Sequence, residues 1–284
     1  MNTDIFAQLL NALQDALKPG MVAMRPAILG LFAFLALLEM VRLGIGLAMG
    51  DKNVPLSAMK FLFRTGVLLW VVLEYPTVVT AVYQSFVQLG LTAGGNGLTA
   101  PQFLDPGTYM TTGLRAGGVL LDAFKANTTL FSVPMALAYF WAWLMFMIAY
   151  GVMALSVFIL QVEFTITIMA AVVMLPFAAL HGTGWIAQGA ISYPINVGFR
   201  FFVLAMLAAV VFPLLKTITA MHASIETAIV MCLAAWMMAF LFLKGPSIAA
   251  GILSGAPSLS AGQVLQAAAG TAIALPAAVV AGRA

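Results

Sequence analysis

Between Ala126 and Leu243 the chain runs for 118 residues with only four formally charged side chains, Glu163, Arg200, Lys216 and Glu226. A globular core must cover itself with water-facing charge, whereas a bilayer penalises each ionised group at its centre by several kcal/mol. Hydrocarbon is therefore the solvent this segment is built for. The whole chain agrees, with a mean hydropathy of +1.08 and 7% charged residues, against roughly 25% in soluble domains. The expectation is an all-α, polytopic membrane protein.

The net charge of +3 comes from Lys and Arg scattered through loops and helix ends. That distribution suits positive-inside flanks and is too thin for a nucleic-acid face. Cys232 is the only cysteine and sits in an apolar run, which excludes a disulfide framework and a cysteine-based metal site. Asn2, Thr3 and Asp4 stand where a cleaved signal would carry basic residues.

Hydrophobic periodicity divides the chain into a short amphipathic amino-terminal helix (residues 1–20), a transmembrane body (21–244) and a small-residue tail (245–284). In the first, Ile5, Phe6, Leu9, Leu10, Leu13 and Leu17 form one face, and Pro19-Gly20 is expected to end it. The body reads as apolar runs at Pro26–Met49, Leu62–Leu89, Val133–Leu160 and Phe164–Leu180, a weaker piece at Trp185–Val197, and further runs to Leu215 and from Ala228 to Leu243. We count six spans, or five if one segment is re-entrant. Five is preferred because, with Lys52, Lys60 and Arg64 marking a cytoplasmic loop, it also places Lys244 inside.

A polar interval at 91–130 interrupts the body. Asp105-Pro106 has the form of an N-cap followed by proline in the first turn. The helix that follows aligns Met110, Leu114, Leu121 and Phe124 with Gly113 and Gly117, opposite Thr111, Arg115, Asp122 and Lys125. It is an interfacial helix, facing either a leaflet or a protein partner. Close helix approach is expected at the small-residue pairs Gly46/Gly50, Gly113/Gly117 and Gly251/Gly255.

The charged groups inside the apolar runs are the candidate polar or pathway residues: Glu39, Arg42, Glu74, Glu163 and Arg200. Glu39 and Arg42 are three apart on one helix face and can neutralise each other. Glu74 precedes Tyr75-Pro76 in mid-span, where proline breaks or kinks a helix. Glu163 reads as the turn of a tight hairpin, and Arg200 as a headgroup anchor or the lining of a polar interior. The many Met residues around 145–153 are adaptable filler.

No phosphate-binding glycine loop, zinc motif or nucleophile elbow is present. An enzyme, a cofactor and a metal are not expected. An ion- or solute-coupled transporter is the competing class, with Glu39, Glu74, Glu163 and Arg200 as coupling groups, but no duplicated half is visible.

The order of these features matters beyond composition. An amino-terminal amphipathic helix, a polar loop after two spans, the break Leu175-Pro-Phe-Ala-Ala-Leu-His-Gly-Thr-Gly-Trp185, and then Lys244-Gly-Pro-Ser-Ile-Ala-Ala-Gly251 with Ser258-Leu-Ser260 resemble the TrbL/VirB family of conjugative-transfer proteins. The resemblance implies a multi-pass subunit of a type IV secretion apparatus in the bacterial inner membrane. It implies contact with membrane lipids, a homo-oligomeric ring with a pentamer as candidate size, and partners that include ATPases and pilus or stalk components. DNA and protein substrates would pass transiently, without stable nucleic-acid binding, because phosphate contacts need clustered Lys and Arg.

Overall fold

The computed structural model describes residues 5–50, 54–127, 133–219 and 224–254. Among them there is no strand. Helix α1 is Ile5–Ala48, α2 Val54–Ala93, α3 Ala100–Leu104, α4 Pro106–Ala126, α5 Val133–Met174, α6 Gly184–Thr219 and α7 Ile225–Ser254. Two 3₁₀ turns, Leu175–Ala178 and His181–Thr183, join α5 to α6.

Five of these helices are long and apolar enough to cross a membrane, namely α1, α2, α5, α6 and α7. The span count is therefore five, but the elements are not the expected ones. The amino-terminal helix does not stop at Pro19-Gly20; α1 runs through Pro19 and Pro26 for 44 residues. Its early turns find a surface of their own chain, with Leu10 and Asn11 beside Tyr83, Pro101 and Leu104. Glu163 is not a hairpin turn, because α5 passes through it for 42 residues. The Trp185–Val197 piece is not re-entrant but the first half of α6, and α7 continues through Lys244-Gly245-Pro246.

The common reason is that a proline removes one backbone hydrogen bond, which neighbouring helices and hydroxyl side chains can offset in an apolar bundle. A helix of 42 residues is about 63 Å long, roughly twice the 30 Å hydrocarbon. Charged or proline-containing turns therefore need not mark helix ends.

Asp105 caps α4 as expected, accepting from the Gly107 amide (2.9 Å) and the Thr108 hydroxyl (3.0 Å). Its neighbour Tyr109 is fully buried, and that burial, with the Asp105 charge, pushes the phenol well above its ordinary range. The partner of α4 is α5 of the same chain, packed antiparallel. A Cβ on Gly113 would stand 2.7 Å from the Tyr150 ring, and one on Gly117 3.2 Å from Trp143.

Helices α2 and α6 run parallel and meet through Gly90 of α2 and through Gly94 and Gly97 in the turn that follows it. A Cβ on Gly94 would lie 2.5 Å from the Met206 carbonyl oxygen, and those on Gly90 and Gly97 would collide with the Phe202 and Ala209 carbonyls. Gly198 faces Phe86 in the same seam. The Tyr75 hydroxyl donates to the Ala190 carbonyl (2.5 Å) further along, and Tyr83, Phe164 and Phe201 join α2, α5 and α6 in one aromatic cluster.

Candidate functional site

The α5–α6 connection is where the backbone leaves the helical ladder. Pro176 at the start of the first 3₁₀ turn has no amide hydrogen, and Gly182 and Gly184 weaken helix propagation. Unpaired backbone groups in an apolar protein cost on the order of 1–3 kcal/mol each. Some are satisfied within the turn, where Thr183 Oγ1 donates to the Phe177 carbonyl (2.9 Å).

Two charged residues from other helices each reach one more. Arg64 Nη2 on α2 donates to the Ala178 carbonyl (2.7 Å). Glu39 Oε2 on α1 accepts from the His181 amide (3.3 Å). Glu39 is itself held by Arg42, through Nη2 (2.5 Å) and Nε (3.2 Å). The Glu39 side chain is 7% exposed and that of Arg42 59% exposed, so the acid is buried while its counter-ion opens to the surroundings. The expected neutralisation is present. Its use as a brace for a chain break could not be read from spacing, nor could any role for Arg64 beyond a positive flank.

A second polar centre joins α5 to α6. Arg200 Nη1 lies 2.5 Å from Glu163 Oε1, with side chains 22% and 28% exposed. Arg200 Nε also donates to Asn196 Oδ1 (3.1 Å), and the Tyr193 hydroxyl lies 3.5 Å from Glu163 Oε1. Nearby, Gln161 Nε2 donates to the Leu104 carbonyl, tying α5 to α3. Arg200 is thus part of a helix–helix ion pair, with Nη1 on Glu163 and Nε on Asn196.

These two centres form belts of charge. From Gly184 to Arg200 along α6 the rise is about 24 Å. Between the belts, Glu74 of α2 is exposed and makes no ion pair or hydrogen bond among the described residues. Helix α2 is not broken at Tyr75-Pro76. An apolar crevice between α1, α2 and α5, lined by Met21, Ile28, Val72, Pro76 and Met169, has Arg25 at its rim.

The small-residue pairs differ in setting. Gly113 and Gly117 are closely covered. Gly50 has open space around it and a φ of 80°, so it ends α1 in the left-handed region. Gly46 is half-buried and Gly251 buried, while Gly255 lies outside the described residues, as do His222 and the Ser258-Leu-Ser260 tail. Cys232 Sγ donates to the Ala142 carbonyl (3.1 Å) and joins α7 to α5. Among the described residues no three His, Cys, Asp or Glu side chains are grouped as a metal site would require.

Long apolar helices, an ion pair between two of them and a braced break between two antiparallel helices define a multi-pass helical membrane protein. The break and both belts fall inside residues 36–245, and over that interval the chain matches the model of the TrbL/VirB6 plasmid conjugal transfer protein family. The chain belongs to that family and is a membrane component of a conjugal transfer, or type IV secretion, apparatus, working with other subunits of the system. Among curated proteins none matches.

Proposed function

We propose that this chain is a channel or scaffold subunit in the bacterial inner membrane. It assembles as a ring, with a pentamer as the candidate size, and assists passage of DNA and protein substrates and assembly of the pilus. The observation that carries this reading is the family match across both charge belts and the break. The disposition of charge supports it. Glu163 and Arg200 pair across α5 and α6, and Glu39 is held by Arg42 within α1 and by the His181 amide, where a coupled transporter would keep such groups free to bind and release its ion. The reading is of a non-enzymatic body, with partner ATPases supplying the energy and lipid covering the apolar helices.

Deletion of the chain in a conjugative host is expected to abolish plasmid transfer and pilus production together, with complementation restoring both. Undiminished transfer by the deletion strain would overturn the proposal. Robust solute uptake by vesicles holding only the purified chain would favour the transporter instead.

A further inference from the structure

After the ion pairs are assigned, two exposed charges remain in the region between the belts. Glu74 is ten residues beyond Arg64 on α2, a rise of about 15 Å, which places it near the middle of the interval. Arg25 on α1 is also exposed and lacks an ion pair among the described residues. It lies at the crevice rim with Leu73 and Pro76, the residues flanking Glu74 and Tyr75, so the two charges share a level in the bundle.

Helix α2 buries Val72, Tyr75 and Val79 against its own chain. Its opposite face exposes Phe63, Val67, Trp70, Glu74, Thr77 and Ala81, at alternating steps of four and three residues. That is the seam of a helix made to pack against another helix. Phe63 is 77% and Trp70 57% exposed on it. Lipid could cover the apolar members, but an ionised Glu74 facing lipid would cost several kcal/mol.

We propose that this α2 seam packs against α1 of a second copy of the chain, with Glu74 of one subunit paired to Arg25 of the next. The inference rests on the ring reading above and specifies its interface. Cyclic symmetry about an axis along the membrane normal carries every atom to the same depth in the neighbouring copy. The cation that meets Glu74 must therefore come from the Glu74 level. Arg42 and Arg200 are engaged with carboxylates and Arg64 with the Ala178 carbonyl; Arg25 is the unpaired cation at the right level. The contact joins two different surfaces head to tail, the arrangement that closes a ring when the rotation permits.

The test uses the full chain in its membrane. In a Cys232→Ala background, two differently tagged copies are co-expressed, one carrying Glu74→Cys and the other Arg25→Cys, and mild oxidation is applied. A disulfide-linked band bearing both tags is expected. In parallel, native mass measurement in lipid nanodiscs is expected to show the wild-type oligomer, at least a tenfold loss of it with Glu74→Arg, and recovery in the Glu74→Arg/Arg25→Glu double variant. A wild-type chain that is monomeric there overturns the ring reading and this inference with it. An oligomer unchanged by Glu74→Arg, or a double variant that stays dissociated, overturns the pairing alone and leaves the ring standing.

Discussion

The α2–α6 seam predicts that the same substitution, glycine to alanine, has opposite signs at two positions of one helix. At Gly66 an added Cβ meets nothing within 4 Å; at Gly90 it would stand 2.9 Å from the Ala205 Cβ, 3.1 Å from the Phe202 carbonyl carbon and closer still to its oxygen. Carbon atoms pack best at about 3.5–4.0 Å, so α2 and α6 must part locally by about 0.6 Å or more. Backbone atoms cannot rotate aside. A gap of about 0.5–1 Å forfeits a quarter to a half of each dispersion contact along the seam, and overpacking of this kind costs about 1–3 kcal/mol. Against this stands the helix-interior preference for alanine, about 0.5–1 kcal/mol, which both sites gain. Gly90→Ala should therefore lose about 0–2.5 kcal/mol net, and Gly66→Ala should gain up to about 1 kcal/mol. The assay is thermal unfolding of each purified variant in the same nanodiscs, read against wild type. A Gly90→Ala protein as stable as Gly66→Ala would refute the close-approach argument for this seam.

Breaking the ion pair between α5 and α6 by Glu163→Leu or Arg200→Leu alone should cost about 2–4 kcal/mol, while the double apolar variant approaches wild type, because a lone buried charge is worse than none; a double-mutant cycle in thermal stability shows whether the coupling exists. At the chain break, Glu39→Ala removes the acceptor of the His181 amide, and hydrogen exchange at that amide should quicken by about fivefold or more, the equivalent of about 1 kcal/mol. Arg64→Ala should open the same turn, and the two effects should fall short of additive because both residues brace one short segment. At the α4–α5 contact, Gly113→Val should destabilise more than Gly118→Val, since the first meets the Tyr150 ring and the second open space.

The helical class, the number of long apolar helices and the cap at Asp105 were all legible in sequence, because each depends on local composition or on residues within one turn. The pairing of Glu39 with Arg42 was legible for the same reason. Segment boundaries were not. Glu163, Pro19 and Pro246 look like stops when only their own turn is considered, yet Glu163 is neutralised by Arg200, a partner thirty-seven positions away. The close approach of Gly90, Gly94 and Gly97 to α6 was not legible either, since nothing in that segment reveals the α6 carbonyls that press on them.

The sequence alone determined the solvent of this protein and its secondary structure: hydrocarbon admits few charges, and a chain so poor in them can satisfy its backbone there by forming helices. Tertiary structure decided what the few remaining charges do. It turned Glu39 and Arg64 into braces for a break, Glu163 and Arg200 into a helix–helix lock, and left Glu74 and Arg25 facing outward. The physical reason is that the energy of a charge in an apolar medium is set by its nearest partners, and for Arg64, Glu163 and Arg200 those partners lie far away in sequence.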